Sequence, residues 1–326
     1  MFFFIFLIFL NTIIFLNLKI ISNKIKIFDV PDNYRKIHDL KITKIGGIIF
    51  FVNIILVIAY LEKFKLSQNL IFLLFIFSLS FAISLIDDLK DIKPTYRLVS
   101  FYFIFFIWVI IDPDMQIASL KFITYNIDFN LGKFTYFITP LFILIFLNAL
   151  NLYDGVNGQS ASYALLFLVF FYLNNLNIYL YFYLIPFLII FFFNNVRNKI
   201  FLGDTGITLL AVYISYVLIK DYNLNRNLYC DEIFLIMMLP GIDMLRVYFT
   251  RLIKKKDPFM SDNSHLHHIL LRRISKQYVF LYQFIFISLI LMSFYIYSVP
   301  FLMILLITLI IYSSTLIICN AKNTKI

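Results

Sequence analysis

Residues 70–91 read LIFLLFIFSLSFAISLIDDLKD: seventeen positions broken only by three serines, then two adjacent aspartates and a third three positions on. A run of that length at about 1.5 Å per residue crosses most of a hydrocarbon core of roughly 30 Å. Ten further windows have the same character, giving eleven near residues 2–22, 45–61, 69–86, 97–112, 134–150, 160–174, 177–193, 205–220, 229–250, 278–296 and 299–319. With 62% hydrophobic and 14% charged residues, and 41 phenylalanines in 326 positions, the chain has too little polar surface to cover a water-soluble globule. The expected fold is an all-α integral membrane protein, a bundle of about 11 transmembrane helices. The polar breaks are short, so residues 1–326 are expected to form a single polytopic domain. The first window has its charges after the apolar run and no small-residue cleavage site, so it is expected to be retained rather than removed as a signal peptide.

Lys and Arg set the orientation. If the segment after the first window faces the cytoplasm, the inward segments 23–44, 87–97, 151–159, 194–204, 251–277 and 320–326 carry twenty of them, against five in 62–68, 113–133 and 221–227. The positive-inside rule then predicts a cytoplasmic C-terminus and an external N-terminus. The net charge of +10 is accounted for as topogenic charge beside anionic lipid rather than as a nucleic-acid footprint. Cys230 and Cys319 have no CxxC spacing, so neither disulfide nor metal chemistry is expected of them.

Every chemically suggestive stretch falls in that inward set: RKIHDLKITKIGG (35–47), DDLKD (87–91), NALNLYDGVNG (148–158), NNVRNKIFLGDTG (194–206) and SDNSHLHH (261–268), along with all four histidines. The expected active site is therefore assembled from cytoplasmic loops. Asp87, Asp88 and Asp91 would repel one another on a continued helix. They are tolerable around a cation such as Mg²⁺, or as a solvated helix end paired with Lys90, Lys93 and Arg97. Asp204 lies between two glycines where a helix begins, a setting that suits phosphate and equally suits a simple N-cap. The spacing of His265, His267 and His268 lacks the i, i+4 pairing of helical zinc ligands, so phosphate contact or acid/base work fits them better than zinc. Asn148, Asn151, Asp154 and Asn157 offer donors and acceptors of the kind a nucleobase and a sugar require.

In that order and spacing, over roughly residues 29–270, these motifs resemble the polyprenyl-phosphate N-acetylhexosamine-1-phosphate transferases, and the helix count resembles their GlcNAc-1-phosphate branch. The resemblance implies transfer of a sugar 1-phosphate from a UDP-sugar to undecaprenyl phosphate with release of UMP, at the inner membrane of a bacterium. Mg²⁺ is the implied metal, with Mn²⁺ as a substitute. It implies that Asp87 and Asp88 handle magnesium and lipid phosphate, and that Asp204 ligates Mg²⁺. Asn148, Asn151, Asp154 and Asn194 would line the nucleotide and metal pocket, with Asn157 beside them. His265, His267 and His268 would contact the sugar nucleotide, His267 being assigned to the catalytic set. Arg35, Lys36, His38 and Arg197 would meet the remaining negative charge. A homodimer is compatible with this reading. The chain departs from the family pattern at Asn157 (commonly Asp), Asn263 (commonly Arg) and Thr43 (commonly Pro), which bears on the sugar and nucleotide contacts more than on the reaction. Two alternatives stand beside it: a phospho-MurNAc-pentapeptide transferase, against which the spaced HLHH argues, and a transporter of lipid-linked sugars, against which the one-sided clustering of motifs argues.

Overall fold

The computed structural model describes residues 2–31, 41–63, 70–174, 176, 179–224, 228–258 and 263–320. In chain order the helices are α1 (Phe2–Leu16), α2 (Leu18–Ile25), α3 (Gly46–Lys63), α4 (Leu70–Lys90), α5 (Pro94–Ile111), α6 (Thr135–Tyr153) and α7 (Gln159–Leu173). They continue as α8 (Tyr179–Phe182), α9 (Ile185–Val196), α10 (Gly203–Leu224), α11 (Cys230–Ile253), α12 (Leu266–Leu271), α13 (Lys276–Tyr295) and α14 (Phe301–Asn320). Two short antiparallel pairs accompany them, β1 (Phe28–Asp29) with β2 (Ile42–Thr43), and β3 (Ser119–Phe122) with β4 (Ile127–Asn130). An apolar solvent cannot satisfy backbone N–H and C=O groups, so spanning segments close their hydrogen bonds internally and become helices.

Each of the eleven sequence windows holds helix, yet the expected count of eleven full spans does not carry over. Among the described residues eight helices are long and apolar enough to cross a membrane. The first window is broken into α1 and α2, which meet at 68° and make at most a ninth span. The windows at 160–174 and 177–193 yield α7, with 15 residues, and α9, with 12. At 1.5 Å per residue those reach only about 22 Å and 18 Å. The reason is visible in the sequence: Gly158 takes a left-handed φ of +87° at the start of α7, and Pro186 sits in the first turn of α9. Both helices begin or end at loops that carry polar residues.

α10 is the axle of the bundle. Some 83% of its most apolar stretch is buried inside the protein, against 17% for α14, whose outer side presents Leu306, Ile310 and Ile317 as a lipid-facing surface. α3, α4 and α6 surround α10. Its approach to α3 is made by backbone: a Cβ at Gly47 would lie 2.4 Å from the Gly206 amide nitrogen and 2.8 Å from the Thr205 Cβ. Small residues allow this close helix crossing where lipid gives no hydrophobic drive to association. The two leading amides of α3 are satisfied across the same seam, Gly46 N donating to Phe201 O (3.1 Å) and Gly47 N to Leu202 O (2.8 Å). Phe201 N donates in turn to Thr43 O (2.8 Å). These bonds fix the point at which α10 begins.

Buried carboxamides tie outer helices to the bundle. Asn11 on α1 and Asn53 on α3 exchange reciprocal hydrogen bonds of 2.8 and 3.0 Å, both fully buried, and Gln159 on α7 bonds Gln283 on α13. At the opposite end of the bundle the β3–β4 hairpin is pinned where Thr124 N donates to Asp231 (2.9 Å) and Lys121 N to the Tyr222 hydroxyl (2.7 Å). Because Gly47 meets backbone rather than a movable side chain, Gly47→Ala is expected to destabilise the fold by about 1–3 kcal/mol. The check is the thermal midpoint of the purified protein in detergent, with an alanine at the open Gly241 as the neutral comparison.

Candidate active site

The C-terminal ends of α4, α6, α9 and α11, the N-terminal ends of α5, α10 and α13, the short α12 and the loop after α6 meet around a cavity of about 750 Å³. Asn148 and Asn151 reach it from one face of the last turns of α6, where i, i+3 spacing stacks them, and Asp154 follows at the end of the same helix. Asn148 Nδ2 bonds the Tyr248 hydroxyl of α11. Asn151 Nδ2 donates to Asp204 Oδ1 at 2.7 Å.

Asp204 stands in the first turn of α10, its side chain one-third exposed to the cavity. The two adjacent aspartates of α4 point elsewhere. Asp88 turns onto the start of α10, where its carboxylate accepts from Asp204 N (3.2 Å), Thr205 N (2.9 Å) and Thr205 Oγ1 (2.6 Å). It is the N-cap of a helix to which it does not belong, satisfying orphan amides and opposing the positive end of the helix dipole. Gly203, with φ +74°, makes room for it: a Cβ there would come within 2.9 Å of Asp88 Oδ2. Asp87 accepts from Arg97 Nη1 (2.6 Å) and Ile92 N (2.8 Å), and Arg97 also reaches Asp204 Oδ1 at 3.5 Å. Lys44, just before α3, bridges Asp29 (3.2 Å) and Asp88 (3.8 Å). Burial works against the Lys44 charge, but Asp29, Asp88 and Asp204 outweigh it and hold its pKa above the ordinary value.

The loop after α6 carries the histidines' seat. Gly155 is required there by contact, since a Cβ would fall 2.0 Å from His267 Nε2. His267 is 4% exposed, and burial, helped by His268, pulls its pKa down to about 3, so the ring is neutral at physiological pH. Burial pushes Asp154 up to about 6, with the Asp204 charge adding to the rise and hydrogen bonds from Ser160 opposing it. Asn195 holds the loop from behind, accepting from Gly158 N (2.5 Å) and donating to Ile200 O (2.8 Å), while Asn157 donates to Asn198 at 2.5 Å.

Residues 70–221 match the model of glycosyl transferase family 4, a stretch that contains Asp87, Asp88, the asparagine-rich end of α6 and Asp204. Relatives cover more of the chain than the family-4 stretch does. The chain is 28% identical over 278 residues to the undecaprenyl-phosphate alpha-N-acetylglucosaminyl 1-phosphate transferase of Salmonella typhi, spanning 81% of this chain and 75% of that protein. It is 26% identical to the protein of the same name from Escherichia coli K12, over the same shares, and 25% identical to that of Thermotoga maritima, over 79% and 78%.

Around the family-4 stretch, most residues singled out by sequence come together. Asp87, Asn148, Asn151, Asp154, Asn157, Asp204, His265, His267 and His268 all line the one cavity. Others do not. Asn194 folds its amide back onto Ile190 O (2.8 Å) and leaves the cavity to its neighbour Asn195; Arg197 is exposed and off the lining. Arg35, Lys36 and His38 lie outside the described residues. The expected three-carboxylate metal set of Asp87, Asp88 and Asp204 is not assembled: among the described residues no three acidic, histidine or cysteine side chains gather as a metal cluster. Asp88 is taken up by the α10 cap, and Asp87, buried rather than solvated, pairs with Arg97.

Sequence reasoning missed Lys44, Tyr248, Arg251 and Lys276 on the cavity wall, and gave Arg97 only a pairing role. It also passed over Asp243 and Arg246, although an acid and a base three apart inside a spanning helix are a signal in themselves.

Asp88→Ala is expected to lower stability by about 0.5–2 kcal/mol, the usual loss of an N-cap. Asp204→Asn is expected to leave the thermal midpoint close to wild type, and the two midpoints measured side by side check the distinction. Asp154 has a folded pKa above its ordinary 3.8, so the native state binds more protons than the unfolded one between about pH 4 and 6. Stability contributed by this group therefore falls as pH rises through that window. Asp154→Asn should flatten the slope and raise the midpoint at pH 8 more than at pH 5, read from thermal melts at both.

Proposed function

We propose that this chain transfers N-acetylhexosamine 1-phosphate, GlcNAc 1-phosphate in the first instance, from its UDP derivative to undecaprenyl phosphate, releasing UMP. The relatives named above carry that acceptor and that sugar in their names. The observation that carries the proposal is Asp204: a carboxylate at the head of the central helix, steadied by Asn151 and Arg97, open to a cavity large enough for a sugar nucleotide.

In the reaction, an oxygen of the lipid phosphate attacks the β-phosphorus of the UDP-sugar. A new P–O bond forms, the bond from the β-phosphorus to the bridging oxygen breaks, and UMP leaves with that electron pair. One diphosphate linkage replaces another, so the reaction runs near equilibrium and in both directions. The attacking phosphate has a second pKa near 6 and needs little deprotonation at neutral pH. The protein is asked for in-line positioning and charge compensation rather than for a base.

The described wall of the cavity carries six acids, Asp29, Asp87, Asp91, Asp154, Asp204 and Asp257, against four bases, Lys44, Arg97, Arg251 and Lys276. A polyanionic substrate enters such a site best with a divalent cation. Mg²⁺ suits it, because that ion takes one or two carboxylates and completes its shell with water and substrate phosphate oxygens. Asp204 and the Asn151 carboxamide oxygen are the groups that would hold it, with Mn²⁺ as a substitute, and the ion would supply charge neutralisation at the diphosphate. Arg97 and Lys44 meet the remaining phosphate charge. Neutral His267 offers a hydrogen bond without adding charge, and Asn148 with Tyr248 offers polar groups to the nucleotide. The surplus of Lys and Arg on the same side supports an orientation with this site at the cytoplasmic face of a bacterial plasma membrane, where UDP-sugars are made. The product starts a cell-surface polysaccharide.

Purified protein given undecaprenyl phosphate and a panel of UDP-sugars tests the proposal by UMP release and by exchange of labelled UMP. Asp204→Asn is expected to lose both by a factor on the order of 10² or more, the scale of one removed electrostatic group. A chelator should abolish activity and added Mg²⁺ restore it. Undiminished exchange in Asp204→Asn would remove the reading.

A further inference from the structure

Asp243 lies on α11, its side chain 10% exposed, in a helix otherwise suited to hydrocarbon. A carboxylate there persists when its lone pairs are occupied. Four donors converge on it: Oδ1 accepts from Tyr312 OH (2.6 Å), Arg246 Nη2 (2.8 Å) and Leu266 N (3.1 Å), and Oδ2 faces His265 Nδ1 at 2.9 Å. Arg246 extends the knot, donating to Ser264 O (2.6 Å) and to Tyr312 OH (2.5 Å). One carboxylate thus grips both the ring of His265 and the backbone of the next residue. The His267 ring then lies parallel to that of His265, 2° off at 5.9 Å, and the His268 ring is 4.2 Å from His267. The three histidines line the cavity, whereas Asp243, Arg246 and Tyr312 do not. His265 Nε2 is buried with no hydrogen-bond partner among the described residues, so the ring is held by its Nδ1 side.

We propose that Asp243 is a positioning residue for the transfer: with Arg246 and Tyr312 it fixes the ring and tautomer of His265 and, through the first turn of α12, aims His267 and His268 at the bound diphosphate. This rests on the transferase reading above. A carboxylate can only accept, so it draws the proton to Nδ1; a carboxamide can present its NH₂ instead and drive the proton to Nε2. Asp243→Asn therefore changes orientation and tautomer with little change in volume. Tyr312 carries the same restraint in from α14.

The chain has four histidines, so ¹⁵N-histidine labelling gives four rings to follow. Asp243→Asn is expected to move the resonances of the His265 ring most, the ring identified by its loss in His265→Ala, with smaller shifts at His267 and His268, and to lower kcat for UMP release on the order of 10²-fold, the scale of a misplaced group. KM for undecaprenyl phosphate is expected to stay within about twofold, since the lipid's ground-state binding is untouched. Combined with His265→Ala, Asp243→Asn should cost little further, because the part played through the ring is gone with the ring and the carboxamide oxygen can still accept from Leu266 N. Additive losses, or wild-type kcat with an unchanged histidine spectrum, overturn the proposal. If Asp243→Asn does not fold, Tyr312→Phe keeps the carboxylate and runs the same cycle, with a smaller loss that must also vanish beside His265→Ala. The spectrum needs no substrate, so an inactive wild type would count against the transferase reading while leaving the clamp to be judged on its own.

Discussion

The N-terminus of α10 needs a negative partner, and it finds one on another helix. The Asp88 carboxylate, taken up by the amides of Asp204 and Thr205, joins the C-terminal end of α4 to the start of α10, the most buried of the candidate spans. Without that contact two awkward facts would be left side by side: a buried carboxylate with only the Lys44 ammonium 3.8 Å away to offset it, and unpaired amides at the start of a buried helix. Together they cancel, and what remains is a fixed platform on which Asp204 faces outward. The adjacent pair of aspartates therefore divides its labour. One closes the helix, and the other keeps Arg97 beside Asp204.

The remaining walls follow the same economy of using a polar group twice. Gly155 yields its side-chain volume to His267, Asn195 ties the turn before α7 to the strand-like segment before α10, and the opening residues of α3 give their amides to Phe201 and Leu202. None of these links is long, and each connects two parts of the chain more than 30 positions apart. The cavity is thus a product of the bundle's polar seams. Its acid surplus follows from the lining.

Much of this could be read from the chain. Eleven apolar windows each became helix, because in hydrocarbon length and apolarity leave the backbone no other choice. The described parts of the five polar stretches gather at one end of the bundle. Span count was less legible: α7 and α9 have the composition of spans but are cut short by Gly158 and by the Pro186 turn, and hydropathy windows do not register where a helix starts. Side-chain direction was not legible at all. Asp87 and Asp88 are neighbours in sequence, yet 100° apart around a helix, so one faces the cavity and the other faces α10. Asn194 and Asn195 exchange roles for the same reason. Lys44 lies inside the 35–47 stretch and Asp243 three positions before Arg246, but the partners that give them a role, Asp88 for the one and His265 and Tyr312 for the other, come from elsewhere in the chain, as Asn148 does for Tyr248.

The α3–α10 crossing has a mechanical implication. Where Gly47 meets Gly206 there are no side chains to change rotamer, and the amide bonds from Gly46 and Gly47 resist sliding in either direction. Such a junction behaves as a weld. The opposite wall is built differently: there short α12 is held by the Asp243 carboxylate of α11 and rests on α13 and α14, so that side of the vestibule depends on side-chain hydrogen bonds and imidazole rings rather than on backbone contact.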